Sequence, residues 1–466
     1  MRRTAVAGLL TIALATSANV PAEGVFGGRA KATRLRTVSP DLIASEVATA
    51  AGALPGSQAE PHLARSPVDA RNLIAGWQEQ RFADGGAMAL GVARSTDGGR
   101  SWASALLPGL TTASGGAWQR ATDPWIAFGP DGTAYYSSMT FSDDVAGSAI
   151  NTSVSTDGGV TWSNPYVVHH DERELSDKQA LVVDNSPTSR WQGRLHMAWM
   201  AFRYDPQGRL LGQVLMGSFS DDQGRSWSSP RDHVIGNVNT GPVPVTGPGG
   251  EVYVVWVSQM EGQRYRQIFF MRSLNGGRRW TAPRRLDEIR FRRELNIREG
   301  NDLAALAVDP TTGDLHLLWA DRRWGQYARM TLISSPDRGV TWSEPRPVSD
   351  DPASESTMTP SIAVDARGHV GISYYRRGNI TDGPYRTHLY FRDLGPGAMD
   401  PRRETQVTRQ PFDLRDAAFA QGYFLGDYSG LAGAPRGFHL LWVDTSQLLA
   451  DGVTRGPWVR AARIPR

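Results

Sequence analysis

The sequence predicts an all-β chain in which about seven four-stranded antiparallel units close into a propeller, and three observations predict it. An eight-residue phrase, Ser-x-Asp-x-Gly-x-(Ser/Thr)-Trp, recurs from Ser95 to Trp102, Ser155 to Trp162, Ser220 to Trp227 and Ser335 to Trp342, with a degraded copy from Ser273 to Trp280. Pairs of short apolar segments, each split by an Asp/Gly/Pro turn and closing on an aromatic, recur at a period of several tens of residues. Glycine, at 50 of 466 residues, supplies many tight turns, while a charged fraction of 21% is that of an ordinary soluble core.

The first 22 residues read as a secretory signal: Met1-Arg2-Arg3, an apolar run from Ala5 to Ala15, then small residues at Ala18 and Ala22. Export to the extracellular side is therefore expected. No later stretch reaches the roughly 20 apolar residues of a membrane helix. The absence of cysteine excludes disulfides and lipid attachment through a thiol. Residues 23 to 58, rich in Ala and Gly, read as a partly ordered leader, and 59 to 466 as a single propeller domain.

Seven segment pairs follow in order: His62 to Ala64 with Leu73 to Trp77, Trp125 to Phe128 with Thr133 to Ser137, and Ala180 to Val183 with Leu195 to Trp199. Next come Pro242 to Val245 with Val252 to Trp256, Ala304 to Val308 with Leu315 to Trp319, Ser361 to Val364 with Val370 to Tyr374, and Gly430 to Ala432 with Phe438 to Trp442. A third strand, a turn and a fourth strand complete each unit, which is the blade of a propeller. The last unit must take its outer strands from the tail near Trp458 to Ile464, with an N-terminal strand to close the ring.

Each eight-residue phrase has a physical reading as a hairpin turn. The Asp carboxylate folds back onto backbone N–H groups, the Gly permits positive φ, the hydroxyl adds a local hydrogen bond, and the Trp starts the next strand. The degraded copy carries Asn275 for Asp and Arg279 for the hydroxyl residue. One such turn is common; five in register mark a repeat.

The phrases resemble the Asp-box, the repeat of the sialidase (neuraminidase) superfamily and of other Asp-box β-propellers, and the resemblance covers most of the chain. It implies boxes on the face opposite an active site, and an exo-sialidase-like glycoside hydrolase acting on an acidic sugar. Sialidases have six blades, so six stands as the alternative to seven. Their Phe-Arg-Ile-Pro type motif, which carries the first arginine of a carboxylate-binding triad, does not occur here.

Starts of inner strands and ends of second strands meet at one mouth of a propeller. The starts supply Glu60, Asp123, Asp177 with Lys178, Asp302, and Asp427 with Tyr428; the second-strand ends supply Glu79, Arg81, Arg203, Asp321, Arg322, Arg323, Arg376 and Asp444. Guanidinium groups bind carboxylates bidentately, which suits an acidic sugar. Glycoside cleavage adds a proton donor and a nucleophile, which in propeller sialidases is a Tyr assisted by an acid. Asp123 is the expected acid, because Trp118 and Arg120 lie just upstream. Asp427 and Tyr428 are the other catalytic candidates, with Tyr204, Tyr375 and Tyr423 as alternatives for the Tyr. Arg81, Asp177, Lys178, Arg203, Asp302, Arg322, Arg323 and Arg376 are the expected substrate-binding set.

Two other readings compete at the same mouth: a non-catalytic propeller binding a glycan or protein partner, and a polysaccharide lyase. The histidines lack zinc spacing, and no phosphate loop or dinucleotide fingerprint occurs. No cofactor is expected beyond a calcium ion that clustered carboxylates could hold. A net charge of +3 with dispersed basic residues argues against nucleic acid. A monomer is expected.

Overall fold

The computed structural model describes residues 32–143, 147–236, 238–291, 296–298, 303–350, 354–378, 385–399, 402, 404–449, 452 and 455–466. Asp302 lies outside them, as does the whole signal segment.

Every blade is an antiparallel sheet counted outward from the axis. The first comprises Gln58–Arg65, Leu73–Arg81, Ala87–Ser95 and Ala103–Leu106. The second comprises Arg120–Phe128, Ala134–Phe141, Ser148–Ser155 and Tyr166–Asp171. The third runs Glu174–Val183, Leu195–Tyr204, Leu210–Ser220 and Arg231–Gly236, and the fourth Val238–Thr246, Val252–Gln259, Arg266–Ser273 and Arg284–Ile289. The fifth is Ala304–Val308, Leu315–Asp321, Arg329–Ser335 and Arg346–Pro347; the sixth is Glu355–Val364, His369–Gly378, Arg386–Pro396 and Thr405–Gln406. The seventh takes Gly430–Ala434, Gly437–Leu448 and Arg455–Pro465 from the tail and Arg36–Thr37 from the other end of the chain.

The first two blades share one hydrogen-bonded sheet through the single pair Ala87↔Ala121, so the six sheets contain seven four-stranded units. Inner strands of successive blades touch, and that of the seventh meets that of the first. The ring is a closed seven-bladed β-propeller. The segment expected to be a leader is part of it: Arg36 and Thr37 pair with Ala461 and Arg460. The strand Arg455–Pro465 is thereby paired on both sides, and the short Arg36–Thr37 is left as the outer edge of the blade.

Between blades the core is aromatic. Trp77, Trp199, Trp256, Trp319 and Trp442 sit on second strands and are fully buried, each withdrawing about 150–250 Å² from water. The eight-residue phrases form one recurring turn at the face away from the second-strand ends. In the second blade Ser155 Oγ donates to Asp157 Oδ1, Gly159 N donates to Ser155 Oγ, and Thr161 Oγ1 donates to Asp157 Oδ2 at 2.6 Å. The degraded copy builds the same turn, with Arg279 N donating to Asn275 Oδ1 at 2.7 Å.

Each turn docks on the preceding blade. Gly159 of the second blade stands against Ile74 of the first, Trp280 meets His233 of the third blade, and Trp342 meets Phe270 of the fourth. At Gly339, φ is +79° and a Cβ would stand 2.3 Å from the Phe270 ring, so both backbone and neighbour demand glycine.

Candidate functional site

Five inner strands break their register at the same place, and the residue at the break has a left-handed backbone: Glu60 (φ 53°), Asp123 (54°), Lys178 (53°), Gly241 (58°) and Thr359 (53°). Four of these have side chains that avoid this region, and Thr359 is β-branched as well. The recurrence makes the bulge a property of the ring. What varies is the side chain placed there.

That variation makes the mouth asymmetric. Blades seven, one, two and three, which are contiguous in the ring, supply Asp427, Glu60, Asp123, and Asp177 with Lys178. The fourth and sixth supply only Gly241 and Thr359. The charged side chains form one cluster. Lys178 Nζ donates to Asp427 Oδ2, and the Arg298 guanidinium reaches the same oxygen at 2.9 Å. Arg298 lies over the Phe424 ring at 4.1 Å, and Arg81 over the same ring at 4.6 Å. Arg81 donates to Gln78 Oε1, and the Gln78 amide donates to Glu60 Oε2 and to Thr122 Oγ1. The Glu60 and Asp123 carboxyls are hydrogen bonded to each other, and Lys178 N donates to Asp123 Oδ2 at 3.2 Å.

Burial and neighbouring charge drive these groups apart in acidity. Burial and the charge on Asp123 push Glu60 up to about 8. Burial and Asp177 raise Asp123, and burial raises Asp177. Asp427 is equally withdrawn from water, yet Lys178 and Arg298 hold its carboxyl far below the ordinary range. Burial opposes the Lys178 charge, but Asp427 and Asp177 lift it above its ordinary value. At neutral pH the Glu60–Asp123 pair therefore carries a proton while Asp427 is an anion.

Deeper along the axis lies a cavity of about 130 Å³, walled by all seven blades through residues such as His62, Trp125, Lys178, Pro242, Leu306, Ile362 and Leu431. His62 stacks on Trp125 at 4.1 Å, accepts from Ile126 N, and is pushed down to about 3 by burial, so it is neutral. Tyr428 stands edge-on to Trp125 and donates to the Pro124 carbonyl at 3.3 Å. Burial raises its phenol well above the usual value, which disfavours a phenolate nucleophile.

The structure thus brings together Asp123, Asp427, Tyr428, Arg81, Asp177 and Lys178 from the sequence reading. It does not bring in the other arginines. Arg203 pairs with Glu174 at 2.7 Å and Asp232 at 2.5 Å, Arg323 with Asp287 at 2.9 Å and Asp321 at 3.0 Å, and Arg376 with Glu404. Each serves a carboxylate of the outer part of the ring. Arg322 contributes a backbone N–H to the Arg290 carbonyl. Glu79, Asp321 and Asp444 each accept the indole N–H of the Trp two residues earlier, at 2.6, 2.7 and 3.1 Å, because alternate residues of a strand share a face. Arg120 faces Asp84 and Asp143 at 2.6 and 2.8 Å rather than Asp123. The Tyr375 hydroxyl is bound to the Val443 carbonyl at 2.9 Å. Among the described residues no group of three or more His, Asp or Glu side chains is arranged to hold a metal ion. No described helix is long and apolar enough to cross a membrane.

Two participants had little signal in the sequence. Gln78 is one residue of a second strand. Arg298 lies in the short described stretch 296–298 between the fourth and fifth blades, where Ile297 bridges Tyr423 and Arg298 N donates to the Tyr423 carbonyl at 3.1 Å.

No family model and no curated protein matches the chain. Solved structures that it resembles include a protein of unknown function from Dyadobacter fermentans, at 13% identity and TM-score 0.49 over 74% of this chain and 95% of that one. Others are a Hadza microbial sialidase, at 20% identity and TM-score 0.46 over 68% of this chain and 63% of that one, and a Penicillium chrysogenum alpha-L-arabinanase complexed with arabinobiose, at 14% identity and TM-score 0.47 over 83% and 99%.

Proposed function

We propose that the protein is an exported glycoside hydrolase whose general acid is the Glu60–Asp123 pair and whose ionised carboxylate is Asp427. One observation carries the reading: a single asymmetric mouth contains two carboxyl sites of opposite acidity, one holding a proton at neutral pH and one held as an anion by Lys178 and Arg298. Glycosidic cleavage needs those two states side by side, one to protonate the leaving oxygen and one to meet the developing positive charge at the sugar.

The same geometry favours a neutral sugar over the acidic one that the resemblance implies. Lys178 and Arg298 already face Asp427, and Arg203, Arg323 and Arg376 face carboxylates elsewhere. A substrate carboxylate would have to displace Asp427 from its two cations or draw Arg81, which is 3% exposed, away from Gln78 Oε1.

The test is hydrolysis of fluorogenic neutral, uronyl and sialyl glycosides by the protein and by Glu60→Gln and Asp427→Asn. Turnover of a neutral glycoside that falls by about 10²–10⁴ in each variant, with cooperative unfolding retained, is the expected result. Turnover that survives both substitutions would remove these residues from the chemistry. No turnover on any glycoside would leave a binding propeller.

A further inference from the structure

We infer that the face opposite the mouth docks on an anionic lipid surface, through a strip of arginines and two apolar turn tips at the seams of the third, fourth and fifth blades. Such docking goes beyond the hydrolase reading and would hold without turnover.

The repeat itself marks the place. Where clean copies of the eight-residue phrase carry Asp and then Ser or Thr, the fourth blade carries Asn275 and Arg279. Its turn is intact nonetheless: Ser273 Oγ and Arg279 N both donate to Asn275 Oδ1, at 3.0 and 2.7 Å. The exchange removes a negative charge and adds a positive one, and the turn needs neither change.

Further arginines gather around it. Arg231 of the third blade donates to the Arg278 carbonyl at 2.9 Å. Arg272, whose N–H donates to Thr281 Oγ1 at 3.1 Å, sends its guanidinium to the Arg338 carbonyl at 2.5 Å, and Arg284 reaches the Val340 carbonyl at 2.6 Å. These bonds join the turns of the fourth and fifth blades into one strip. Arg231, Arg278, Arg279 and Arg284 are exposed, and together with Arg272 they have no carboxylate partner among the described residues. Neighbouring Asp232 and Glu251 are met by Arg203 and Arg338. Against the five arginines stand Asp337, which its own turn holds through Ser335 and Thr341, and the exposed Glu344. Positive charge therefore prevails.

The apolar tips select the partner. Leu274 is 57% exposed and Val340 50%, on the same two turns as the arginines. A nucleic acid or an acidic polysaccharide would neutralise the guanidinium groups and leave these two side chains in water. The interface of an anionic bilayer accepts both, apolar groups at the acyl boundary and guanidinium groups at the phosphates. Docked in this way, the protein keeps its mouth open to solvent.

Co-sedimentation of the full chain with vesicles tests the assignment, using phosphatidylcholine alone and equimolar phosphatidylcholine and phosphatidylglycerol. Binding is expected on the anionic vesicles only, and it should weaken as salt rises. Each arginine beside such a surface is worth about fivefold in partitioning, so Arg278→Gln with Arg279→Gln should weaken binding about 20-fold. Leu274→Ser with Val340→Ser should weaken it by at least about fivefold, through lost burial of apolar surface. All these side chains face solvent, so cooperative unfolding should be unchanged in both variants. Equal partition to the two vesicle types, no sedimentation with either, or undiminished binding by the arginine variant would each overturn the assignment. Undiminished binding by the apolar variant would do so too, because charge alone would then hold the partner, as it would hold soluble heparin.

Discussion

A carboxyl that leaves water for the interior of the ring, as Glu60 does, loses the hydration that stabilises its charge. The folded protein therefore binds its proton more tightly than the unfolded chain does. With Glu60 pushed up to about 8 from an ordinary 4.5, the native state holds the extra proton between those values. Stability must fall as pH rises through that window. Glu79, which burial pushes up to about 7, adds to the slope with the same sign. Asp427 acts oppositely: its favourable pairing is present above the ordinary carboxylate range and is lost only in acid. Urea denaturation at pH 5, 6.5 and 8 should show a midpoint that falls with pH, and Glu60→Gln should flatten the fall. An equally steep fall in the variant would mean that Glu60 is not the proton holder. Asp123, Asp177, Lys178, Asp427 and Glu60 were legible in the sequence because strand starts are readable and each lies at one. Arg203, Arg323 and Arg376 misled because a strand end fixes the face on which a side chain stands but not its nearest carboxylate.

The recurring turn shows how much chemistry a single secondary-structure connection needs. Asn275 accepts from Arg279 N as Asp157 accepts from Thr161 N, at 2.7 and 3.0 Å, so the turn requires an acceptor oxygen rather than a charge. Asp157→Asn should therefore cost little in thermal unfolding, whereas Asp157→Ala should destabilise by about 1–2 kcal/mol, as loss of a capping side chain does. Gly339→Ala meets both a left-handed backbone and the Phe270 ring, and about 2–3 kcal/mol of destabilisation is expected from the same measurement. A variant as stable as the parent would show that the fifth blade can retreat from the fourth. The inner-strand bulges left a fainter trace. Pro61, Pro124, Pro242 and Pro360 follow four of the five left-handed residues, but nothing in Glu60, Asp123 or Thr359 themselves announces a positive φ.

Closure belongs to the molecule entire. The seventh blade is finished by Arg36 and Thr37, with Val38 N donating to the Val459 carbonyl at 3.0 Å and the Val38 side chain 3% exposed. A chain beginning at Ser39 should lose at least about 2 kcal/mol, the transfer free energy of Val38, and expose the edge of Arg455–Pro465. Thermal unfolding and size-exclusion chromatography would show a lower midpoint and self-association. An unchanged midpoint would mean that the third strand of that blade closes the ring alone.

Repeat number, blade boundaries and the turn chemistry were set by local pattern: alternation, glycine and short-range hydrogen bonding act within a few residues, so they can be read in order along the chain. The site was not local. Glu60, Asp123, Lys178, Arg298 and Asp427 span most of the chain, and their acidities arise from burial and from one another. Only ring closure brings the seventh blade against the first and Arg298 against Asp427. Electrostatic coupling depends on distance through space, and no spacing along the sequence encodes it.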